Sequence, residues 1–578
     1  MKKYSLRDPL PKEIDELFAS YTPLVRSLLY SRGIVDQAGA DAFLNPNYEK
    51  HLHNPFLLKD MDKVVERILS SIDKSEKIGI FSDYDADGIP GAVALHDFFK
   101  KLGFENFVNY IPLRNEEGFG LNHDAITSLV DQKVELIITI DCGITDVDEV
   151  DFANKHGVDV IITDHHIPGK KVPKAFAIVN HKQKDCSYPE QFLCGSGTIF
   201  KVIQALIIKI KEDEKLLNKF NWKDGQEKWL LDMIGLATMS DMVPLLGENR
   251  VLSYYGMKVL QKSPRVGLQK LFSLLKIDQR TVTEDDIAFM ITPRINAASR
   301  MGIPRDAFTL MSTVDEVEAG VLAEHLNNKN DERKGVVGSM VREIKKRLEE
   351  RDEDMRHVFV FGNPEWKPSL LGLVANSFSD EHGRPVFFWG RNGETDGIIK
   401  GSCRAGGDTD IVKLMEKVKD VFLDYGGHKG AGGFSILQEN IHTLEDRLNE
   451  AFLELLKEDK ITPDTLIDKK LSLDEVNWNT YSSLEKFAPF GMSNPKPLFL
   501  FENIQVKNMK LFGKEKNHLE LKFRNSKDKD VTAIAFFQNG DKFPVKVEGG
   551  SNINMVATLE KSQFRNFPEL RLRIVDVF

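Results

Sequence analysis

Four short stretches gather the side chains of this chain that can hold a metal ion or move a proton. The first, Ser82-Asp83-Tyr84-Asp85-Ala86-Asp87-Gly88, sets three carboxylates at alternate positions. Asp141-Cys142-Gly143 and Asp164-His165-His166 follow, and Asp241 closes the run LLDMIGLATMS. Carboxylates with imidazoles suit Mn2+, and carboxylates with water suit Mg2+. A set with no cysteine ligand is not a structural zinc site. Two divalent ions about 3.5–4 Å apart need a set of this size, with one carboxylate bridging both. Asp83, Asp85, Asp87, Asp141, His165, His166 and Asp241 are the candidate ligands, with Asp141 and Asp87 the candidate bridges.

Each piece alone has a plainer explanation. A DxDxDG string also opens a Ca2+ loop, with glycine sixth, but the twelfth position here is Ala94 where a bidentate Glu is required. A His-His pair is more often structural than metal-binding, and an Asp that ends a strand is often a helix N-cap. Together, on successive element ends, they point to one metal site.

The elements that must position them are legible from apolar periodicity. Lys77–Ser82 (KIGIFS) reads as a buried strand, followed by a helix through Ala92–Leu102. Asn106–Ile111, Glu135–Asp141, Val158–Asp164 and Phe176–Asn180 repeat the pattern. Continuous Val and Ile strands separated by helices predict a doubly wound parallel α/β sheet. In an open sheet of that kind the site forms outside the C-terminal strand ends, where the acidic and histidine residues fall. Helical patterns dominate Thr198 to Leu310. Val314–Arg351, free of proline, reads as one long connecting helix or two in series. A smaller α/β unit begins near His357, and Asp464–Asp468 reads as a linker. Leu498–Val506, Leu519–Phe523, Val531–Phe537, Asn554–Thr558 and Leu570–Val577 predict a small all-β barrel.

Composition sets the outer bounds. The chain has 578 residues, 41% hydrophobic and 29% charged, an ordinary globular balance. No apolar run reaches the ~18–20 residues a membrane-spanning helix needs, and Met1 to Leu10 has no signal-peptide core behind it. Four scattered cysteines (Cys142, Cys186, Cys194, Cys403) without Cys-x-x-Cys spacing fit a reducing cytoplasm. The net charge is −10, yet Lys496–Phe578 holds 15 Lys and Arg against 10 Asp and Glu, a local +5. A basic C-terminal module on an acidic body allows local phosphate binding.

The quartet DYDADG, DCG, DHH and the Asp of LATMSDMVPL resembles the four motifs of the DHH phosphoesterase superfamily. Further segments resemble its RecJ family: Ile111-Pro112-Leu113-Arg114 with Glu117-Gly118-Phe119-Gly120-Leu121, GSGTIFKVIQAL from Gly195, Gly247-Glu248-Asn249-Arg250, and Pro293-Arg294-Ile295-Asn296-Ala297-Ala298. Gly401-Ser402-Cys403-Arg404 and the glycine-rich 426–433 stretch (GGHKGAGG) resemble the DHH-associated domain, and Pro489-Phe490-Gly491 with Asn494-Pro495 the lead-in to an OB-fold. The chain departs from the family pattern at Lys367, Ser299, Cys403 and Ser493.

The resemblance implies metal ligation by Asp85, Asp87, Asp141, His165 or His166, and Asp241, which would also carry catalysis. Asp83 stands where shorter members use an upstream histidine, and Asp164 would hold the histidine pair from behind. It implies a 5′-to-3′ exonuclease that hydrolyses single-stranded DNA by two-metal in-line attack, with Mn2+ or Mg2+, in repair and recombination. Arg114, Ser402 and Arg404, joined by Arg294 or Arg300, would receive a 5′ phosphate, and the glycine-rich stretch around His428 would approach phosphate through its backbone. Phe512, Phe523, Phe536 and Phe537 are candidates to stack bases on the barrel. The layout expected is an N-terminal segment (1–60), DHH domain (61–312), connecting helix (313–352), DHH-associated domain (353–462) and OB-fold (463–578). A monomer without membrane attachment is implied, with a single-strand-binding protein and a helicase as partners. Rival readings are a DHH phosphodiesterase of short RNA or cyclic dinucleotides, a manganese pyrophosphatase, and a non-catalytic DHH replication scaffold. Adjacent carboxylates kept without a metal to neutralise them would cost stability, which argues against the last.

Overall fold

Strands form where Val and Ile run unbroken, because β-branched side chains suit a pleated surface covered on both faces. The structure, a computed structural model, describes residues 4–350, 356–391, 397–407, 409–458, 465–540, 543–562 and 567–578. β1 (Lys77–Ser82), β2 (Phe107–Tyr110), β3 (Val134–Ile140), β4 (Asp159–Thr163) and β5 (Ala177–Val179) form an all-parallel sheet. Its order is β2-β1-β3-β4-β5. The winding reverses between β1 and β3, which opens the crevice where such sheets bind ligands.

Alternate residues feed two cores. Ile78, Ile80, Leu136 and Ile138 pack with Met61–Lys74, α1 (Gly88–Lys101) and α2 (Gly195–Glu212). Phe81, Ile137, Val160 and Ile162 pack with His123–Asp131 and Val147–Lys155. Each fully buried Ile or Val contributes about 1.5–3 kcal/mol, so the strand ends are carried on a sheet with a packed core on each face. Beyond them lie α3 (Leu231–Ser240) and α4 (Thr292–Met301), then α5 (Glu316–Glu349). The predicted connector is one continuous helix, its N-terminus capped by Asp315.

β6 (Phe359–Gly362), α6 (Pro368–His382), β7 (Val386–Gly390), β8 (Ile398–Arg404), β9 (Phe422–His428) and β10 (Ala431–Leu437) build the second α/β unit. Its sheet runs β9-β10-β8-β7-β6, parallel only between β6 and β7. The tail is a sheet of β11 (Phe499–Gln505), β12 (Asn508–Phe512), β13 (His518–Arg524), β14 (Asp530–Ala535), β15 (Asn552–Ser562) and β16 (Glu569–Val577) with Lys469–Lys470 at one edge. β12, short and mostly exposed, is not among the strands expected from the sequence.

Two expectations need correction. Thr465–Ile467 is not linker: it pairs in parallel with Tyr4–Leu6, and Tyr4 Oη donates to Asp576 at 2.8 Å. Asp464, Arg351 and the expected boundaries at 352/353 and 462/463 lie outside the described residues. The N-terminal segment joins the C-terminal body, because Phe18, Leu24, Val25, Leu28 and Phe43 share one core with Phe487, Phe499, Phe501 and Leu521. Chain ends far apart in sequence thus form one unit. Among the described residues no helix is long and apolar enough to cross a membrane, and the four cysteines are free.

Candidate metal centre and adjoining cleft

Each acid at a strand end is pinned by the neighbouring strand. The amide of Asp83 donates to Ile140 O (3.0 Å), that of Asp141 to Thr163 O (3.0 Å) and that of Asp164 to Val179 O (3.1 Å). The ladder therefore continues one residue past β1, β3 and β4 and fixes three carboxylates in a row. Asp141 adopts φ 63°, a backbone region that Asp tolerates better than most side chains and that persists only where its surroundings impose it.

The loop after β1 closes tightly. Asp85 Oδ1 accepts from the Asp87 and Gly88 amides (2.8 and 3.2 Å). A Cβ at Gly88 would lie 2.4 Å from Asp83 O, so only glycine fits there. Asp87 in turn receives the N-terminus of α2: its Oδ2 accepts from Gly195 N (2.6 Å) and its Oδ1 from Ser196 N (2.8 Å). Those amides carry the positive end of the helix dipole. A Cβ at Gly195 would fall 2.4 Å from Asp141 Cβ, which explains the glycine. Asn296 on α4 accepts from the Ala86 amide at 2.9 Å.

The histidines complete the ring. His165 Nε2 lies 3.0 Å from Asp141 Oδ1 and 3.8 Å from Asp87 Oδ2, and its Nδ1 lies 3.8 Å from Asp241 Oδ2. His166 Nδ1 is 2.7 Å from Asp164 Oδ1. Asp164 also accepts from the amides of His165, His166 and Ile144, so it orients the pair. Donor atoms of three groups each lie within 4.8 Å of one another: Asp83, Asp85 and Asp141; Asp87, His165 and Asp241; and Asp141, His165 and His166. Asp141 belongs to two of these groups, and so does His165.

Electrostatics favour a cation. Burial, then the charge of Asp85, pushes the Asp87 carboxyl up to about 6. Burial, then Asp87 and Asp85, lifts Asp241 to about 9. Asp83 and Asp141 are also raised, by burial first and neighbouring carboxylates next. Burial, then His166, drops His165 to about 3, keeping it a neutral imidazole. Burial would raise Asp164 too, but its hydrogen bonds to His166 and the amides leave it below its usual value. The buried Asp83 Oδ1 and Asp141 Oδ1 have no hydrogen-bond partner. Crowded carboxylates, a neutral imidazole and unpartnered oxygens fit a divalent-cation site built of O and N donors.

Beside the cluster, Arg114 stacks over the Tyr84 ring (4.9 Å). Arg300, whose pKa is lowered to about 9 by burial and then by Arg114, donates to Ser369 O on α6. Arg404 bonds Ser402 Oγ (3.2 Å) and Cys403 O (2.8 Å), and a Cβ at Gly372 of α6 would meet Arg404 Nη2 at 2.9 Å. Cys403 points to the other face of β8, into the core beside Met415. Arg294 is a correction: it is 4% exposed, and its guanidinium is committed to Asn327 Oδ1 on α5 and Met290 O. His428 is exposed at the β9–β10 turn. Phe523 is fully buried and structural, whereas Phe537 is 79% exposed with φ 56°. Residues not anticipated as site-forming are Gly195 and Ser196 as amide donors, Asn296, and Lys182, which feels the charge of Asp241 and Asp164. The glycines around Ser196 were the available signal.

Residues 77–226 match the DHH family, N-terminal domain; 355–456 match the DHHA1 domain; and 467–576 match the RecJ OB domain. The chain is 33% identical over 556 residues to the single-stranded-DNA-specific exonuclease RecJ of Bacillus subtilis, covering 96% of this chain and 68% of that protein. It is 28% identical over 564 residues to the Haemophilus influenzae RecJ exonuclease, covering 96% and 95%. Its fold resembles RecJ from Thermus thermophilus in complex with Mn2+, with TM-score 0.80 and 24% identity over 100% of this chain and 79% of that one. An exonuclease RecJ bound to manganese is 29% identical, with TM-score 0.56, over 68% of this chain and 94% of that one.

Proposed function

Because this chain belongs to the RecJ family of single-stranded-DNA-specific exonucleases, we propose that it hydrolyses single-stranded DNA from the 5′ end, in DNA repair and recombination. The observation that carries this is the Asp141-centred cluster, in which Asp83, Asp85, Asp87, Asp141 and Asp241 gather with the His165–His166 pair at the β1/β3 switch point. Asp83, Asp85, Asp87, Asp141, His165, His166 and Asp241 would hold Mn2+ or Mg2+. Bound there, such ions supply Lewis-acid activation of a phosphodiester and of water at neutral pH.

The protein's own contribution is placement. Asp164 fixes the histidine tautomer: ionised, it takes the His166 Nδ1 proton as acceptor and leaves Nε2 with the lone pair. The Gly195 and Ser196 amides hold Asp87 in one rotamer. Arg114, Arg300, Ser402 and Arg404, with the N-terminus of α6 between them, make a basic pocket for a terminal 5′ phosphate. A phosphate seated there registers the first phosphodiester over the cluster and turns binding energy into orientation. Downstream, Phe537 and Phe536, the latter with Arg573 4.0 Å from its ring centroid, offer a stacking surface for bases. The protein would act as a monomer in the cytoplasm, a reading supported by the candidate ligands lying together on one chain.

The reading is tested with 5′-phosphorylated and 5′-hydroxyl single strands of one sequence. Faster digestion of the phosphorylated strand, from the 5′ end and only with a divalent metal, is the expected result. Digestion indifferent to the 5′ group would remove the pocket assignment.

A further inference from the structure

Arg250 is 1% exposed, and among the described residues no carboxylate pairs with it. Its guanidinium instead donates to carbonyl oxygens of two distant segments: Phe43 (3.2 Å) on one side, Lys486 (2.9 Å), Phe487 (2.9 Å) and Pro489 (3.3 Å) on the other. Asn494, fully buried, donates to the same Phe487 and Pro489 carbonyls (2.8 and 2.9 Å). Arg32 then donates to Asn494 Oδ1 (2.5 Å) and Pro495 O (2.7 Å). Two buried cations held mostly by neutral oxygens are an expensive way to fill space, and what they achieve is one fixed shape for residues 486–495.

That loop reaches the segment that follows Asp241. Met492 O accepts from the Leu245 amide at 2.9 Å, and Gly491 lies so close that a Cβ would stand 2.7 Å from Leu245 Cδ1. Leu245 is 1% exposed and follows Asp241 by four residues. The arm between them turns through Met242 at φ 59°, so anchoring Leu245 limits where Asp241 can point. We propose that Arg250 is a positioning residue for the hydrolysis: it shapes the 486–495 loop, whose Met492 carbonyl holds the arm that presents Asp241 to the metal ions. The proposal rests on Asp241 being a metal ligand. It makes the seating of the C-terminal body a condition for a complete metal site. A lysine cannot replace the planar fork that serves both segments at once.

The test uses the full-length chain with Arg250→Lys and, separately, Gly491→Val, which keeps every Arg250 bond and crowds Leu245. Mn2+ binding is titrated by electron paramagnetic resonance without DNA, the Leu245 amide is followed by hydrogen exchange, and kcat and KM are measured on a single strand. Both variants are expected to stay folded, to exchange the Leu245 amide faster, and to bind Mn2+ about 10–100-fold more weakly at one site. kcat should fall with KM little changed, which a loss of DNA grip would not produce. If Arg250→Lys does not fold, Gly491→Val alone must show the pattern. Unchanged Mn2+ affinity in a folded variant, or a loss confined to KM, overturns the proposal. A parent chain that binds Mn2+ but cleaves no DNA would refute the nuclease reading while the Mn2+ titration still decides this one.

Discussion

Asp141 Oδ1 stands 3.0 Å from His165 Nε2, yet no hydrogen bond satisfies that oxygen. Leaving a buried acceptor unpaired costs about 1–3 kcal/mol, more for a charged group. The surroundings enforce the arrangement, through the Asp141 amide bonded to Thr163 O and the left-handed backbone at Asp141. A carboxylate and a neutral imidazole that face each other without bonding are the arrangement expected of two ligands waiting on one cation.

Asp141→Asn should therefore separate stability from function. Replacing one of several crowded, buried carboxylates by an uncharged amide should raise the metal-free protein's stability. The rise in Tm that Mn2+ gives the parent through preferential binding to the folded state should vanish. Cleavage should fall at least ~100-fold. Thermal melts with EDTA and with Mn2+, paired with a nuclease assay, check all three. A variant less stable than the parent in EDTA would mean Asp141 is a structural residue.

The same crowding sets a pH dependence. Asp87 (about 6) and Asp241 (about 9) titrate above the ordinary carboxylate range when no metal is bound. The folded state then holds more protons than the unfolded one above about pH 4, so stability falls as pH rises. The contribution is fully present below the unfolded pKa and is lost as pH passes about 6 for Asp87 and about 9 for Asp241. In EDTA, the difference in Tm between Asp241→Asn and the parent should be small near pH 4 and grow in favour of the variant toward pH 9. A difference independent of pH would show that Asp241 carries no displaced titration.

Arg404→Ala should cost roughly tenfold to a hundredfold in kcat/KM on 5′-phosphorylated strands, from charge-assisted bonds of about 1.5–3 kcal/mol each. On 5′-hydroxyl strands the loss should be much smaller. Equal losses on both substrates would place Arg404 outside any terminal-phosphate pocket. Cys403, pointing into the core on the opposite face of β8, leaves Arg404 and Ser402 side by side.

Grip on long strands is best probed by point substitution. Cutting the chain at Pro489 would strip Phe499, Phe501 and Leu521 from the core they share with Phe18, Leu28 and Phe43 and remove one of Arg250's acceptors. Phe537→Ala touches neither. It should weaken binding of a long single strand by about 1–3 kcal/mol, the value of one stacked base, and leave a very short oligonucleotide unaffected. Filter binding or anisotropy at fixed salt would show it, and equal affinities for both lengths would exclude Phe537 from the DNA path.

Local pattern explains what was legible in the sequence. β3 and β4 are Ile- and Val-rich runs of strand length, and the acids that follow β1, β3 and β4 stand out because a carboxylate comes at the end of a largely apolar stretch. Asp83 and Asp141 could be named for that reason, His165 from its place beside Asp164 at a strand end, and Asp241 from the helical run that it closes. Long-range pairing was not legible. Tyr4–Leu6 pairs with Thr465–Ile467 across almost the whole chain, and three residues on each side carry no periodic signal. Arg294 sits in a motif beside Asn296, but its direction depends on α5 supplying Asn327, which spacing cannot reveal. Phe523 and Phe537 look alike in sequence, and only the register of β13 and the left-handed backbone at Phe537 send one inward and the other out.

The Asp141-centred cluster is proposed as a divalent-metal site for cutting single-stranded DNA from its 5′ end. The most direct measurement is digestion of single-stranded DNA carrying a label at one end or the other, with Mn2+, Mg2+ or EDTA, beside RNA and duplex DNA of the same sequence. Immediate release of the 5′ label as mononucleotide with either metal is expected, with late release of the 3′ label and no cleavage in EDTA or of the duplex. Early release from the 3′ end, or digestion that persists in EDTA, would contradict it.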